Sequence, residues 1–252
     1  MKVTFIGTAG SFLTANRSYP SILLNDDLLL DCGEGTTQNL LKINSINNIK
    51  IICITHLHHD HYLGLFSLLW YYWLNNRKED LEIIGPPKTR YTVEKILKLI
   101  NTSEDIKTFN LVIIELKDSN EIQTFKKIYT IKSISVDHNI ISFAFRIEKE
   151  DKSICYSGDT RPTPNLKTLS KNSDLLIAES SFPNKYKELA HKIYHSTPSD
   201  AAELGINSNC KKLVLFHISS AFKNQFARFK AEAEEIFKND VIIAKDLMIL
   251  EI

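Results

Sequence analysis

Short apolar runs, bounded by polar or glycine-containing turns, recur along almost the whole chain. They predict strands over Lys2–Gly7, Ser21–Leu24, 27–31, 49–54, 81–84, 111–116, 127–136, 141–147, 153–157, Leu175–Glu179, 213–217 and 241–252. Apolar positions at helical spacing predict helices over Thr36–Lys42, 63–74, 88–100, 165–170, 198–204 and 221–237. Thr197 followed by Pro198 reads as a helix start, with threonine as the cap and proline in the first turn. No linker, repeat or low-complexity stretch interrupts the order, so the expectation is a single α/β (α+β) domain over residues 1–252. The longest apolar stretch, 62–74, is too short to span a bilayer and reads as a buried helix. Its Trp70-Tyr71-Tyr72-Trp73 run is expected to pack in the core or a dimer contact, with a substrate platform as the other reading.

Composition narrows this picture only a little. The 252 residues carry a net charge of +1, so no global electrostatic footprint for nucleic acid exists, although a local basic groove remains open. Four cysteines, Cys32, Cys53, Cys155 and Cys210, show no paired spacing. They predict reduced thiols in a cytoplasmic protein rather than a disulfide framework or a zinc ribbon. The start Met1-Lys2-Val3-Thr4 enters a strand directly, which predicts no signal peptide and no membrane association.

The informative chemistry follows the apolar run 51–54. There the chain reads Thr55-His56-Leu57-His58-His59-Asp60-His61, a His-x-His-x-Asp-His cluster at the end of a buried strand. Imidazole and carboxylate suit zinc and its neighbours. His56 and His58, two apart in extended backbone, point the same way. Asp60 and His61 lie where the chain turns and can face a second ion. Further ligand-type residues each sit just past a strand: Asp137-His138, Asp159 and His217. Five of the eight histidines are thereby placed in matched contexts, too many for a chance histidine-rich surface tract.

With these residues the chain resembles the metallo-β-lactamase superfamily, and within it the ribonuclease Z branch. The superfamily likeness rests on the histidine cluster. The branch likeness rests on Asp31-Cys32-Gly33-Glu34-Gly35-Thr36, with support from Phe5-Ile6-Gly7-Thr8-Ala9-Gly10-Ser11, Ile84-Gly85-Pro86-Pro87, Gly158-Asp159-Thr160-Arg161 and His195-Ser196-Thr197. The resemblance implies a four-layer αββα sandwich of two mixed sheets with outer helices. It implies two zinc ions per chain, with manganese as the alternative: one on His56, His58 and His138, the other on Asp60, His61 and His217, bridged by Asp159. It also implies a phosphodiesterase that removes 3′ trailers from precursor tRNA by metal-activated hydroxide. In that scheme Asp60 accepts the water's proton and His195 is the general acid. Glu179 orients His195, Asp31 supports the metal loop, and the chain forms a homodimer.

Three departures qualify the likeness. The family's His-Glu-Ala-Thr reads Ala178-Glu179-Ser180-Ser181, and its Ser-Pro-Arg-Tyr reads Ser219-Ser220-Ala221-Phe222, without the arginine that would sit near the phosphate. Only 20 residues separate His138 from Asp159, which leaves no room for the tRNA-gripping arm of other members. Candidate replacements for its phosphate contacts are Lys185, Lys187 and Lys192 beside His195, and Lys223, Arg228 and Lys230 further on. The missing arm keeps a second reading open, a hydrolase of small or cyclic phosphodiesters on the same fold. A non-catalytic interaction protein is the third, against which the intact ligand set argues. His59 is expected to be a spectator or a substrate contact, and His191 a surface residue.

Overall fold

The computed structural model describes residues 1–252. Two seven-stranded mixed sheets stack face to face. The first runs in the order Ile249–Glu251, Lys2–Gly7, Ser21–Leu24, Leu28–Leu30, Ile51–Cys53, Leu81–Gly85, Leu111–Glu115. The second runs Asp240–Ile243, Lys212–Phe216, Leu175–Glu179, Lys152–Tyr156, Ser142–Lys149, Thr130–Val136, Gln123–Lys126. Strands covered on both faces should be apolar at every position while their side chains alternate between two cores. Val3, Phe5, Ile22, Leu24, Leu28, Leu30, Ile51 and Cys53 join the core between the sheets, with Phe143, Phe145, Ile177 and Val214 from the second sheet. Ile6, Leu23, Leu29, Ile52 and Ile54 point the other way, into a core with the helix Gly64–Leu74. Ala144, Cys155, Leu176, Ala178 and Leu215 face the helices Pro164–Ser170, Pro198–Asn207 and Phe226–Glu234. These three cores give the four layers of the expected αββα sandwich.

Three predicted elements divide or shift. The span 127–136 shortens to Thr130–Val136, and an unpredicted strand, Gln123–Lys126, pairs with it, because the chain turns where Tyr129 is pulled into the core and Asn25 donates to its hydroxyl. The span 241–252 becomes Asp240–Ile243 in one sheet and Ile249–Glu251 in the other. Between them Asp246 accepts from the Thr8 hydroxyl at 2.6 Å and the Ser18 amide at 2.7 Å, and Leu247 turns through φ 63°, so the chain crosses between the layers. The span 221–237 breaks at Lys223–Gln225 into a single turn, Ser220–Phe222, and the helix Phe226–Glu234. A helix at Lys187–Lys192 was not predicted. In the aromatic run, Tyr72 and Trp73 are buried in the core while Trp70 is exposed.

All four cysteines are buried and unpaired. No helix is long and apolar enough to cross a membrane. The interval between His138 and Asp159 is a hairpin, Ser142–Lys149 against Lys152–Tyr156, turned at Glu150-Asp151. No arm projects from it.

Candidate metal centre

The parallel strands of both sheets end at one edge of the sandwich, and the ligand-type residues follow those ends. The chain leaves Ile51–Cys53 extended through His56 and His58, then makes one helical turn, His59–Tyr62, which swings Asp60 and His61 inward. Glycine is required where this loop is crossed by the Asp31–Gly35 segment. A Cβ on Gly33 would strike the Asp60 carbonyl, and one on Gly64 would strike the Gly33 carbonyl. Asp31 and His217 both sit in the left-handed region, at φ 58° and 56°, a strained conformation at two points that aim side chains into the centre.

Two groups of donors result. His56, His58 and His138 converge, with His56 Nε2 at 3.0 Å and His138 Nε2 at 3.2 Å from His58 Nδ1. Asp60, His61 and His217 form the second group, with His61 Nε2 3.3 Å from His217 Nε2, and Asp60 Oδ2 3.8 and 3.5 Å from those two nitrogens. Asp159 lies between them, 3.4 Å from His61 and His217 and 3.9 Å from His56. His195 also approaches Asp159 and His217 within ligand range.

The environment prepares these groups for cations. Burial, then the crowding of neighbouring imidazoles, holds His56 below its ordinary value and His58 down to about 4; burial likewise lowers His138. These rings are therefore neutral, with lone pairs turned toward one another. Burial opposes ionisation of Asp60 and Asp159, but the facing His217 and His61 outweigh it and both stay carboxylates. Burial also opposes charge on His61, yet Asp159 and Asp31 outweigh it, so a cation entering here displaces a proton. Asp159 Oδ1 is buried without a hydrogen-bond partner. Lone pairs facing lone pairs beside an unpaired buried carboxylate oxygen are the arrangement that divalent cations satisfy, and the nitrogen-rich donor set fits zinc.

The far side of each ring is tied down, which fixes its direction. His61 Nδ1 lies 2.7 Å from Asp31, whose carboxylate also accepts from the Thr55 amide, the Thr55 hydroxyl and the Tyr156 hydroxyl. His138 Nδ1 donates to the Tyr194 carbonyl at 3.1 Å, and His56 Nδ1 meets Thr55 Oγ1 at 2.9 Å. His217 Nδ1 lies 2.9 Å from Ser181 Oγ, which donates to Glu179. Glu179 is fully enclosed and accepts from His195 Nδ1 at 2.9 Å and from the amides of Thr160, Ser181 and Ser196. The sequence reading did not single out Ser181, Thr55, Tyr156 or the Tyr194 carbonyl. Of these only Ser181 carried a signal, a hydroxyl two residues beyond a strand-ending glutamate.

His195 and Ser196 are presented by a helix start built as predicted. Thr197 caps Pro198–Asn207 in a reciprocal box with Asp200, which also accepts from Lys187 at 2.8 Å and from His191 at 2.8 Å. His191 is thus not a free surface residue but half-buried and paired. Burial raises the Asp200 carboxyl, but Lys187, Thr197 and His191 outweigh it and hold it low. Because the folded value lies below the unfolded one, Asp200 contributes stability at neutral pH that is lost as pH falls through the carboxylate range. Asp200→Ala is expected to destabilise the protein by about 2 kcal/mol in urea melts at pH 7 and by less at pH 3. An equal loss at both pH values would refute this account.

Other candidates fare differently. His59 is exposed, its Nε2 3.3 Å from the Tyr19 hydroxyl and outside both groups. Ala221 is exposed and leaves no arginine at that position. Arg17 comes near this loop in the fold but is consumed: its guanidinium donates to the Ile218 and Thr8 carbonyls and lies 5.1 Å from the Phe226 ring, bracing the loop that carries His217. Lys187, Arg228 and Lys230 are paired with Asp200, Glu232 and Glu234.

Comparison with known proteins agrees with this geometry. A family profile described as a beta-lactamase superfamily domain matches residues 27–218. The chain is 31% identical to a protein named ribonuclease Z from Picrophilus torridus, covering 98% of this chain and 94% of that one. It is 30% identical to another of that name from Archaeoglobus fulgidus, covering 100% and 97%. The former alignment runs over 299 positions against 252 residues, so at least 47 positions have no counterpart in this chain. Among solved structures, the short form of human tRNase Z superposes with a TM-score of 0.85 at 28% identity, covering 100% of this chain and 99% of that chain.

Proposed function

Since this chain belongs to the β-lactamase superfamily and, within it, to the ribonuclease Z family, we propose that it is a metal-dependent endoribonuclease that removes 3′ trailers from precursor tRNA. The observation that carries the reading is the convergence of His56, His58, His138, Asp60, His61, His217 and Asp159 in one centre with the His195–Glu179 pair at its rim. The first three histidines would hold one ion, and Asp60, His61 and His217 a second, with Asp159 between them. Two zinc ions, or manganese in their place, would supply Lewis acidity toward the phosphodiester and toward water.

The chain's own residues do the rest. His195 Nδ1 is engaged by Glu179, so Nε2 is the atom turned to the substrate. Burial works against its proton, but the Glu179 carboxylate outweighs this and places the ring at about 9. With a cation held by the centre, that value would fall toward the working range. His195 therefore arrives protonated and gives its proton to the leaving oxygen. Glu179 holds the ring in place through its five acceptor contacts. Asp60, an ionised carboxylate with two oxygens, serves as ligand and takes the proton of the attacking water. A cytoplasmic location accords with the buried unpaired thiols, and the exposed stripe Leu63, Trp70 and Leu74 supports a homodimer.

The test is cleavage of a 3′-extended precursor tRNA by zinc-loaded protein, with an Asp60→Ala control. Cleavage at the trailer junction is expected. Hydrolysis of a small chromogenic diester alone would shift the reading to a small-molecule phosphodiesterase. In Glu179→Gln the charge that raises His195 is gone, so the alkaline limb of kcat is expected to move to lower pH, with kcat reduced about 10- to 100-fold. An unmoved limb would mean that His195 is not the acid.

A further inference from the structure

Beyond His195 the centre opens onto aromatic rings that the hydrolytic machinery does not use. Phe182 follows the strand Leu175–Glu179, and Phe222 follows His217, so adjacent parallel strands deliver both to the rim. The Phe182 ring centroid is 6.2 Å from His195 and 5.8 Å from Phe222. Tyr186 continues the row 5.8 Å from Phe222, and buried Phe229 anchors it from below at 6.2 Å. Phe182 and Phe222 are partly exposed and Tyr186 is 37% exposed. Lys185 stands 4.5 Å from the Tyr186 ring centroid and makes no ion pair, unlike Lys187, Arg228 and Lys230. A row of rings with open surface, leading from a general acid to a free cation, matches the repeat of a single RNA strand: base faces on rings, phosphate on lysine.

Resting on the ribonuclease reading above, we propose that Phe182, Phe222 and Tyr186 form a stacking shelf for the nucleotide that carries the leaving oxygen, with Lys185 at its outer end receiving a neighbouring phosphate. The placement follows from His195. The oxygen it protonates belongs to the nucleoside beside it, so that nucleoside's base falls on Phe182. Stacking reads no base edge, so the shelf holds any base. It supplies strand grip in a chain that has neither the arm nor the arginine at Ala221.

A cycle of two changes tests this. Precursor tRNA is prepared with the base on the leaving-oxygen side of the cleavage site either present or abasic, and both are cut by the wild type and by Phe182→Leu, which keeps packing volume but removes the flat face. The abasic change is expected to lower kcat/KM by about 10- to 100-fold in the wild type and by less than about threefold in Phe182→Leu. Phe182→Tyr should retain the wild-type penalty, and Tyr186→Ala should lose part of it. Equal penalties in wild type and Phe182→Leu would overturn the shelf while leaving the ribonuclease reading intact. Anisotropy with a labelled pentaribonucleotide, intact or abasic, reads the same coupling without turnover. Coupling in binding with no tRNA cleavage by the wild type would overturn the ribonuclease reading and keep the shelf.

Discussion

Asp159→Ala is expected to empty the centre and abolish activity. Asp159 is the carboxylate that lies between the two donor groups, 3.4 Å from His61 and His217 and 3.9 Å from His56. Its two oxygens and single charge would offset two close cations, which no neutral imidazole can do. Removal leaves each ion with uncharged neighbours or with Asp60 alone. Metal analysis should fall from about two ions per chain to below one, and turnover by more than about 10³-fold, beyond the loss of a single charge-stabilising donor. Stability supplies a reading independent of turnover. Zinc at a thousand times its Kd is expected to stabilise the wild type by about 4 kcal/mol, a Tm rise of roughly 10 °C. In Asp159→Ala that zinc-dependent rise should vanish. A variant that keeps both ions and the Tm response would refute the bridging assignment.

The parts of this centre that were legible in the sequence share a property. His56, His58, Asp60, His61, His138, Asp159 and His217 all stand immediately after apolar strands, and parallel strands bring their ends to one edge whatever the detailed packing. Local spacing was enough there. The boundaries that went astray depended on contacts distant in sequence. The split of 241–252 is made by Asp246 with Thr8 and Ser18, more than 200 residues away. The partners that aim the rings were hidden for the same reason. Tyr156 reaches Asp31 across 125 positions, and the hydroxyl of Ser181 reaches His217 across 36. The family's motif has a histidine where this chain has Ala178, which suggested a polar loss. The structure shows that the position next to the ligands is Ser181, whose hydroxyl remains. The candidate phosphate-binding residues illustrate the opposite limit: sequence made six of them equivalent, and ion pairing separates Lys185, Lys192 and Lys223 from the other three.

His195→Ala is expected to lower turnover on precursor tRNA by about 10² to 10⁴-fold while leaving metal content unchanged. The magnitude follows from the leaving group. An RNA alkoxide is a poor leaving group and needs a proton in the transition state, whereas p-nitrophenolate departs without one. The loss should therefore depend on substrate: large on RNA, and within about tenfold on a p-nitrophenyl diester. That contrast separates the acid from two other roles the geometry allows. His195 lies within ligand range of Asp159 and His217, so if it held an ion its loss would lower metal content and both activities together. If it served only to order the entry to Pro198–Asn207, its loss would lower the Tm and both activities in parallel, the stability loss resembling that expected of Asp200→Ala in the same cap. Only a proton donor held by Glu179 at 2.9 Å predicts intact metal, intact folding and a penalty that grows with the basicity of the leaving oxygen.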